Sequence, residues 1–370
     1  MQRSKVNIIL DAQWGSSGKG KNAAWLADKH EVTFASCSHS PNSGHTVVKD
    51  GQKYVFKCLP SASVVPSVKA ALLTGASVFD VGQLLIESVW TQAEILIHDR
   101  AVVLQPRHRE QEVTSPTLTA IASTQQGSAT AVIEKILRDP GSIVAAYGGW
   151  LGRALVNTAA DCRDAVRDEI DRGGTVLHEV SQGYALSIDH GSHFPFCTSR
   201  NATTAKALDD LGISPRELGD VYLNVRPYPI RVGNIVRDGA TVGHSGGFYP
   251  DCEETDWATV GRLAGMPDEE IQKLYQAELT TVTKRLRRVC TFSQIGFVDA
   301  VRANGATKIL LNFAQYLDWS IHGARGAVRV MDLPRRVREF VWMLEELSGC
   351  PVVAIGTGAD HHDVLIPKRR

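Results

Sequence analysis

Three stretches of the chain hold residues whose types and spacing could do chemistry. The first is residues 5–21, KVNIILDAQWGSSGKGK. Val6 to Leu10 is an apolar run with the form of a buried parallel strand. A turn with Gly15, Gly18, Gly20, Lys19 and Lys21 follows, and the Asn22–Lys29 stretch reads as a helix start. Strand, glycine turn and helix start together make a phosphate cradle. Glycines let backbone N–H groups face an anion, the helix N-terminus adds partial positive charge, and a lysine adds a full one. The turn fits neither G-x-x-x-x-G-K-[ST] nor G-x-G-x-x-G. The plain alternative is an ordinary turn with solvated lysines. The second stretch, residues 40–46 (SPNSGHT), is a loop by composition and carries His45, which is either solvated or a donor to a charged group. The third, residues 280–289 (TTVTKRLRRV), places four basic side chains in five positions, 284–288. It is either a solvated face or a grip for carboxylates, which the planar bidentate fork of arginine suits better than lysine.

QWGSSGKGK resembles the adenylosuccinate synthetase signature QWGDEGKGK, and NSGHT resembles that family's NAGHT at the family's distance. Residues 175–204 resemble VLFEGAQGxLLDIDHGTYPxVTSSNTT, sharing Gln182-Gly183, Ile188-Asp189-His190-Gly191, Pro195 and Thr198-Ser199. Weaker likenesses follow the same order along the chain. Ser123, Thr124, Gln125 and Gly127 lie at the family's T-T-G-[RK]-G loop. Tyr228, Arg231, Val232 and Gly233 lie at K-A-Y-x-T-R-V-G, and residues 282–288 lie at T-T-G-R-x-R-R, with Lys284 at the glycine. Gly356, Gly358 and Asp360 lie at the C-terminal [SG]-x-G-P-D-R, with His361 replacing the arginine.

The resemblance implies a ligase that uses a nucleoside triphosphate and Mg2+ to activate a purine 6-oxo group and joins aspartate there. It implies that Gly15, Ser17, Gly18, Lys19, Gly20, Lys21, Gly44, His45, Thr46, Gly356 and Gly358 surround the triphosphate. Gly44 and Ser16 would face the metal. Asn42, Ser123, Thr124, Gln125, Gln182, Thr198, Val232 and Arg285 would bind the nucleoside monophosphate, and Arg138 would reach the neighbouring subunit's site in a homodimer. Thr283, Arg285 and Arg287 would grip aspartate. Ser16, Lys19, His45 and Gln182 would be catalytic, with His45 donating to the phosphoryl group in transit. For Asp189 and His190 the expected role is a structural hydrogen-bonded pair.

The sequence departs from the family at two places. Ser16-Ser17 stands where the family has Asp-Glu, and Asn312-Phe313-Ala314-Gln315 stands where it has Thr-Lys-Leu-Asp. The second change removes the pair that recognises guanine. An amide at Gln315 can bond an adenine edge and Phe313 can stack on a base, so the expected donor is ATP or dATP. Together the changes resemble a phage branch of the family, in which aspartate is joined to dGMP on the way to 2-aminoadenine in DNA. Ser16 would then recognise the base. Proton removal would fall to substrate phosphates, a water or Asp11. An adenylosuccinate synthetase acting on IMP, and an inactive nucleotide-binding relative, are the alternatives.

The elements that must position these residues read as one α/β unit over 1–370, with a large, mostly parallel central sheet flanked by helices, adenylosuccinate-synthetase-like and related to P-loop NTPases. Residues 64–99 read as strand, turn, helix and strand. Residues 101–122 read as irregular, and 123–138 as a polar loop leading into an amphipathic helix with Ala131, Ile133, Ile136 and Leu137 on one side. Residues 334–350 read as a charged amphipathic helix leading into a strand at 351–355. With 370 residues the chain can bury an ample core. Lys+Arg and Asp+Glu are both 40, which argues against a general nucleic-acid or membrane-surface role. The seven scattered cysteines suggest reduced thiols in a cytosol.

Overall fold

The computed structural model of the protein describes residues 5–368. Strand β1 (Val6–Asp11) runs into helix α1 (Lys19–Lys29) through the glycine turn. β1 lies near the middle of a twelve-stranded sheet. It pairs in parallel with Val176–Glu179 on one side and Leu218–Val225 on the other. Beyond Val176–Glu179 come β2 (Phe34–Cys37), Ala70–Leu73, Glu94–His98 and Ala154–Asn157, all parallel, and then the short antiparallel edge Trp150–Leu151. Beyond Leu218–Val225 come Lys308–Leu311 and Val352–Gly356 in parallel, then Val364–Lys368, antiparallel to Val352–Gly356, and Gly326–Arg329.

A parallel sheet must bury both faces, and the strands here are apolar on both sides. Val6, Ile8 and Leu10 point into one core with Val221, Leu223, Ile309 and Leu311. Ile9 points the other way, into a second core with Leu177, Tyr222 and Leu310. Helices Ala159–Asp171, Thr204–Leu211, Gln294–Asn304 and Arg335–Ser348 cover the first core, through Val166, Leu208, Phe297 and Val341 among others. Helix α1 covers the second through Ala23, Ala24 and Leu26. The hairpin of β3 (His45–Lys49) and β4 (Gln52–Phe56) packs beside α1 and brings the SPNSGHT loop to the same end of the sheet.

Residues 101–122, read as irregular, contain helices Pro106–Val113 and Pro116–Ala120. The first starts at a proline behind Gln105, the second at Pro116 behind Ser115, whose side chain accepts from Leu118 N–H; both are proline-at-N1 starts. The helix expected to 138 ends at Ile136, and its apolar side is not a core face. Ala131 is buried, while Ile133, Ile136 and Leu137 are 53%, 67% and 74% exposed. That row faces solvent. The helix expected over 334–350 runs Arg335–Ser348 and the following strand runs Val352–Gly356.

Candidate active site

Glycine-turn residues and the C-terminal ends of the central strands open on one cavity of about 1440 Å3. This is where α/β sheets gather ligands. From β1 come Gly15 to Lys21, and from the end of Val176–Glu179 comes Gln182. Arg226 follows Leu218–Val225, and Asn312 and Phe313 follow Lys308–Leu311. Ten non-glycine residues among those described have positive φ, and five of them, Ser16, Ala122, Gln182, Lys284 and Phe313, line this cavity. Backbone strain of this kind persists where surrounding structure over-determines it, as at a preorganised site.

The turn is held from beneath by Asp11. Its buried carboxylate accepts from the backbone N–H of Gln13 at 2.6 Å and of Ser17 at 3.2 Å. Asp11 is therefore occupied in shaping the loop and does not line the cavity, which removes it from the expected proton acceptors. Gly18 has φ +82 and caps α1. A side chain there would collide with Asn312, whose amide donates to the Ser17 and Gly18 carbonyls at 2.8 and 3.3 Å. Asn312 is thus a clamp on the turn, and it also stands against Gly356, which does not line the cavity.

Both lysines of the turn are buried and aimed. Lys19 Nζ donates to the Gln182 carbonyl at 2.6 Å. Burial lowers its pKa, opposed by Asp11 and Glu179. Lys21 Nζ donates to the Gly358 carbonyl at 2.7 Å and the Asp363 carbonyl at 2.8 Å. Burial brings it down to about 7 against the pull of Asp363 and Asp360. An anion beside either lysine would raise its pKa again.

His45 lines the cavity and its Nδ1 lies 2.5 Å from Glu179 Oε1. Glu179 also accepts from Ser61 N–H and Oγ–H at 2.8 and 2.9 Å. Burial would raise its pKa, but His45 and these donors hold it well below the usual carboxylate range. A charged, fixed carboxylate behind Nδ1 orients the ring and leaves Nε2 for the cavity side. His39 packs on His45 with ring centroids 4.1 Å apart, and burial holds it well below its ordinary pKa, so it is a neutral backing for the ring.

The arginine loop is pinned. Arg287 donates to Glu278 Oε2 at 3.2 Å and to the Ala277 carbonyl at 3.4 Å. Arg285 donates to the Ala122 and Ser123 carbonyls, each at 3.1 Å, and to Thr283 at 3.2 Å. Thr283 and Arg287 line the cavity and Arg285 does not. Glu278 is shared with Arg226 at 2.8 Å and Tyr316 at 2.9 Å. Arg226 in turn donates to the Ser16 carbonyl at 3.1 Å and lies 4.3 Å from the Phe313 ring centroid. One buried network therefore links the basic loop, the glycine turn and Phe313.

The other expected binders divide clearly. Asn42, Gly44, Thr46, Ser123, Thr124, Gln182, Thr198, Val232, Gln315 and Gly358 line the cavity. Buried atoms Gln182 Nε2, Asn42 Oδ1 and Gln315 Oε1 have no hydrogen-bond partner among the described residues, so each can serve a ligand. Gln125 turns away, donating to Thr119 Oγ1 at 2.9 Å and the Glu112 carbonyl at 3.3 Å. Arg138 is exposed, beyond the helix end, and outside the cavity. The expected Asp189–His190 pair is replaced by Asp189 with Asn201, bonded at 2.6 and 3.1 Å. Sequence reasoning missed Arg226, Glu278 and His39, which carry no local motif. Glu179 stood within VLHEVSQG, but nothing in the sequence tied it to His45, 134 residues away.

The sequence profile of the adenylosuccinate synthetase family matches residues 8–147 and 138–320. The N6-succino-2-amino-2'-deoxyadenylate synthase of Vibrio phage phiVC8 is 35% identical over 326 residues, covering 84% of this chain and 86% of the relative. The adenylosuccinate synthetase of Thermococcus onnurineus is 31% identical over 366 residues, covering 97% of each. Among solved structures, the cyanophage S-2L succinoaminodeoxyadenylate synthetase (PurZ), bound to dGMP and to dATP as an energy donor, superposes with a TM-score of 0.82 at 31% identity, over 100% of this chain and 97% of that one.

Proposed function

The chain belongs to the adenylosuccinate synthetase family, and we propose that within it this protein joins L-aspartate to the 6-position of dGMP. The product is N6-succino-2-amino-2'-deoxyadenylate, and ATP or dATP is the phosphoryl donor. The observation that carries this reading is the glycine turn. Its only acid, Asp11, is committed to the turn's own N–H groups, and the cavity is met instead by the short side chain of Ser16. A carboxylate fixed against the base would crowd the 2-amino group of guanine, whereas a hydroxyl accepts from it at smaller size and without a buried charge. The PurZ neighbour holding dGMP and dATP supports the same assignment. The archaeal relatives keep a second reading in play, adenylosuccinate synthesis from IMP, because their likeness spans nearly the whole chain.

The chemistry has two steps. The γ-phosphoryl leaves the β-phosphate oxygen and forms a bond to the purine 6-oxygen, while the ring N1–H gives its proton to a substrate phosphate oxygen or a water. The aspartate amine then attacks C6, and inorganic phosphate departs with that oxygen while the amine loses a proton. Lys19 and Lys21 neutralise phosphate charge, His45 donates to the phosphoryl oxygens in transit, and Gln182 holds the base. Thr283 and Arg287 bind the aspartate carboxylates, with Arg285 bracing their loop against residues 122–123. Phe313, Gln315 and Gly358 border the adenine nucleotide. Mg2+ fits the donors present. The Gly44 carbonyl and the Ser16 hydroxyl would supply hard oxygen ligands, and the buried Ser17 hydroxyl has no hydrogen-bond partner among the described residues. Glu278, the carboxylate linked to the turn through Arg226, is taken up by Arg226, Arg287 and Tyr316, which suits an ion that keeps phosphate and water ligands. Such an ion would add positive charge beside the β- and γ-phosphates.

The reading treats 1–370 as one unit working in the cytoplasm of a phage's host, without nucleic-acid or membrane partners. Among the described residues no helix is long and apolar enough to cross a membrane. A homodimer is part of the proposal. The exposed Ile133, Ile136 and Leu137 adjoin Arg138, so burying that row against a second copy would carry Arg138 toward the neighbouring site. The test is incubation of the protein with dGMP, aspartate, ATP and Mg2+ and mass analysis of the nucleotide. A succinylated 2-aminoadenine nucleotide is expected, and unreacted dGMP beside full conversion of IMP would favour the second reading.

A further inference from the structure

A second cluster of ligating side chains lies away from the cavity, at the C-terminal end of α1. Asp28, about 14 Å along α1 from the glycine turn, faces the loop that follows Val352–Gly356. His362 Nε2 is 3.0 Å from Asp28 Oδ2. The His361 and His362 rings lie against each other with centroids 3.7 Å apart at 34°. One ring nitrogen of each histidine and one oxygen of Asp28 are mutually within 4.8 Å. Behind the rings, Asp360 Oδ1 is 3.6 Å from His361 Nδ1 and 3.9 Å from His362 Nδ1. The Val48 carbonyl is 3.3 Å from His361 Nδ1.

We propose that Asp28, His361 and His362 form a binding site for a divalent transition cation of the zinc type, with Asp360 and the Val48 carbonyl as outer supports. Two imidazole nitrogens and one carboxylate are the donor set of zinc and its neighbours and a poor one for magnesium. An imidazole whose second nitrogen bonds a carboxylate or a carbonyl is fixed in the tautomer that ligates through the other; the Val48 carbonyl at 3.3 Å gives His361 that support, and Asp360 stands 3.9 Å from His362 Nδ1. His361 is 1% exposed, so the surrounding chain holds its ring in place. A plain ion pair between Asp28 and His362 would need only one of these rings. Adjacent residues in extended chain diverge. Here a turn, closed by Asp363 N–H to the Asp360 carbonyl at 3.0 Å and His362 N–H to Asp360 Oδ1 at 2.9 Å, folds both rings to one side. The same loop supplies Gly358 and Asp363, whose carbonyls receive Lys21. A bound cation would therefore fasten to α1 the loop that borders the cavity at Gly358 and Ala359.

Calorimetric titration of the chelator-stripped full chain with Zn2+ tests this. One zinc per chain at micromolar affinity is expected, undisplaced by millimolar Mg2+, with a rise in Tm. Affinity should fall about 100-fold in His362→Ala and in Asp28→Asn. These side chains are 44% and 53% exposed, so both variants should match the parent's Tm in chelator. Cobalt should give visible absorption in the parent that His362→Ala lacks. His45, His39 and Glu179 form another buried His–His–carboxylate cluster, so His45→Asn is the control and should keep the zinc. No stoichiometric zinc, equal binding in His362→Ala, or loss of binding in His45→Asn would each overturn the proposal.

Discussion

At the scale of single residues, the site works through buried side chains whose charge depends on what they face. His45 is the sharpest case. Glu179 fixes the ring from behind and the cavity lies in front. His45→Asn should leave dGMP binding intact and lower kcat about 100-fold or more, the usual effect of losing one transition-state donor. Near-normal kcat would remove His45 from the chemistry. Lys21 gives a pH prediction with a definite sign. Its pKa is about 7 in the free protein because burial outweighs Asp363 and Asp360. Phosphate charge raises it again, so above pH 7 the triphosphate binds together with a proton, and its affinity falls as pH rises from about 7 towards 9. Calorimetry at pH 8.5 in two buffers of different ionisation enthalpy should show proton uptake, and none in Lys21→Met.

At the scale of elements, the basic loop 280–287 and the central strands carry different predictions. Arg287 is held by Glu278, and Arg285 by the 122–123 backbone. Arg287→Leu should raise the aspartate KM by about 2–4 kcal/mol of lost charge-assisted contact with little change in dGMP KM. Arg285→Leu should disturb both, because its anchor is the Ala122–Ser123 backbone between helix Pro116–Ala120 and Thr124. An unchanged aspartate KM in both would return the run to a solvated face. Leu10→Ala, in the core of β1, should destabilise the fold by about 2–5 kcal/mol in denaturant unfolding. The first strand, those at Ala70–Leu73, Glu94–His98 and Val352–Gly356, and the glycine turn were legible in the sequence because apolar runs and glycine spacing are local signals. Helices Pro106–Val113 and Pro116–Ala120 were not, since the first has few apolar residues to give a period and the second is only five residues long. That Ser128–Ile136 turns its apolar side outward was not legible, because periodicity shows that a helix has an apolar side, not whether its own chain covers it. The cavity residues carried by motifs were legible. Arg226 and Glu278 were not, because a buried ion pair 52 residues apart leaves no mark in either neighbourhood.

At the scale of the whole molecule, the account joins one cavity, one sheet and a second copy of the chain. Ile136→Asp should shift the protein to monomer in light scattering and lower its activity. Arg138→Leu should keep the dimer and raise the dGMP KM. A fully active monomer would sever the exposed row from function. The central claim is that this member of the family acts on the 2-amino purine, and that Ser16 in place of the family's aspartate makes room for it. The most direct measurement is kcat/KM for dGMP and for IMP, with aspartate and ATP, in the parent and in Ser16→Asp. The account predicts that the parent prefers dGMP and that the variant's ratio moves toward IMP. A parent that prefers IMP, or a ratio unmoved by Ser16→Asp, would contradict it.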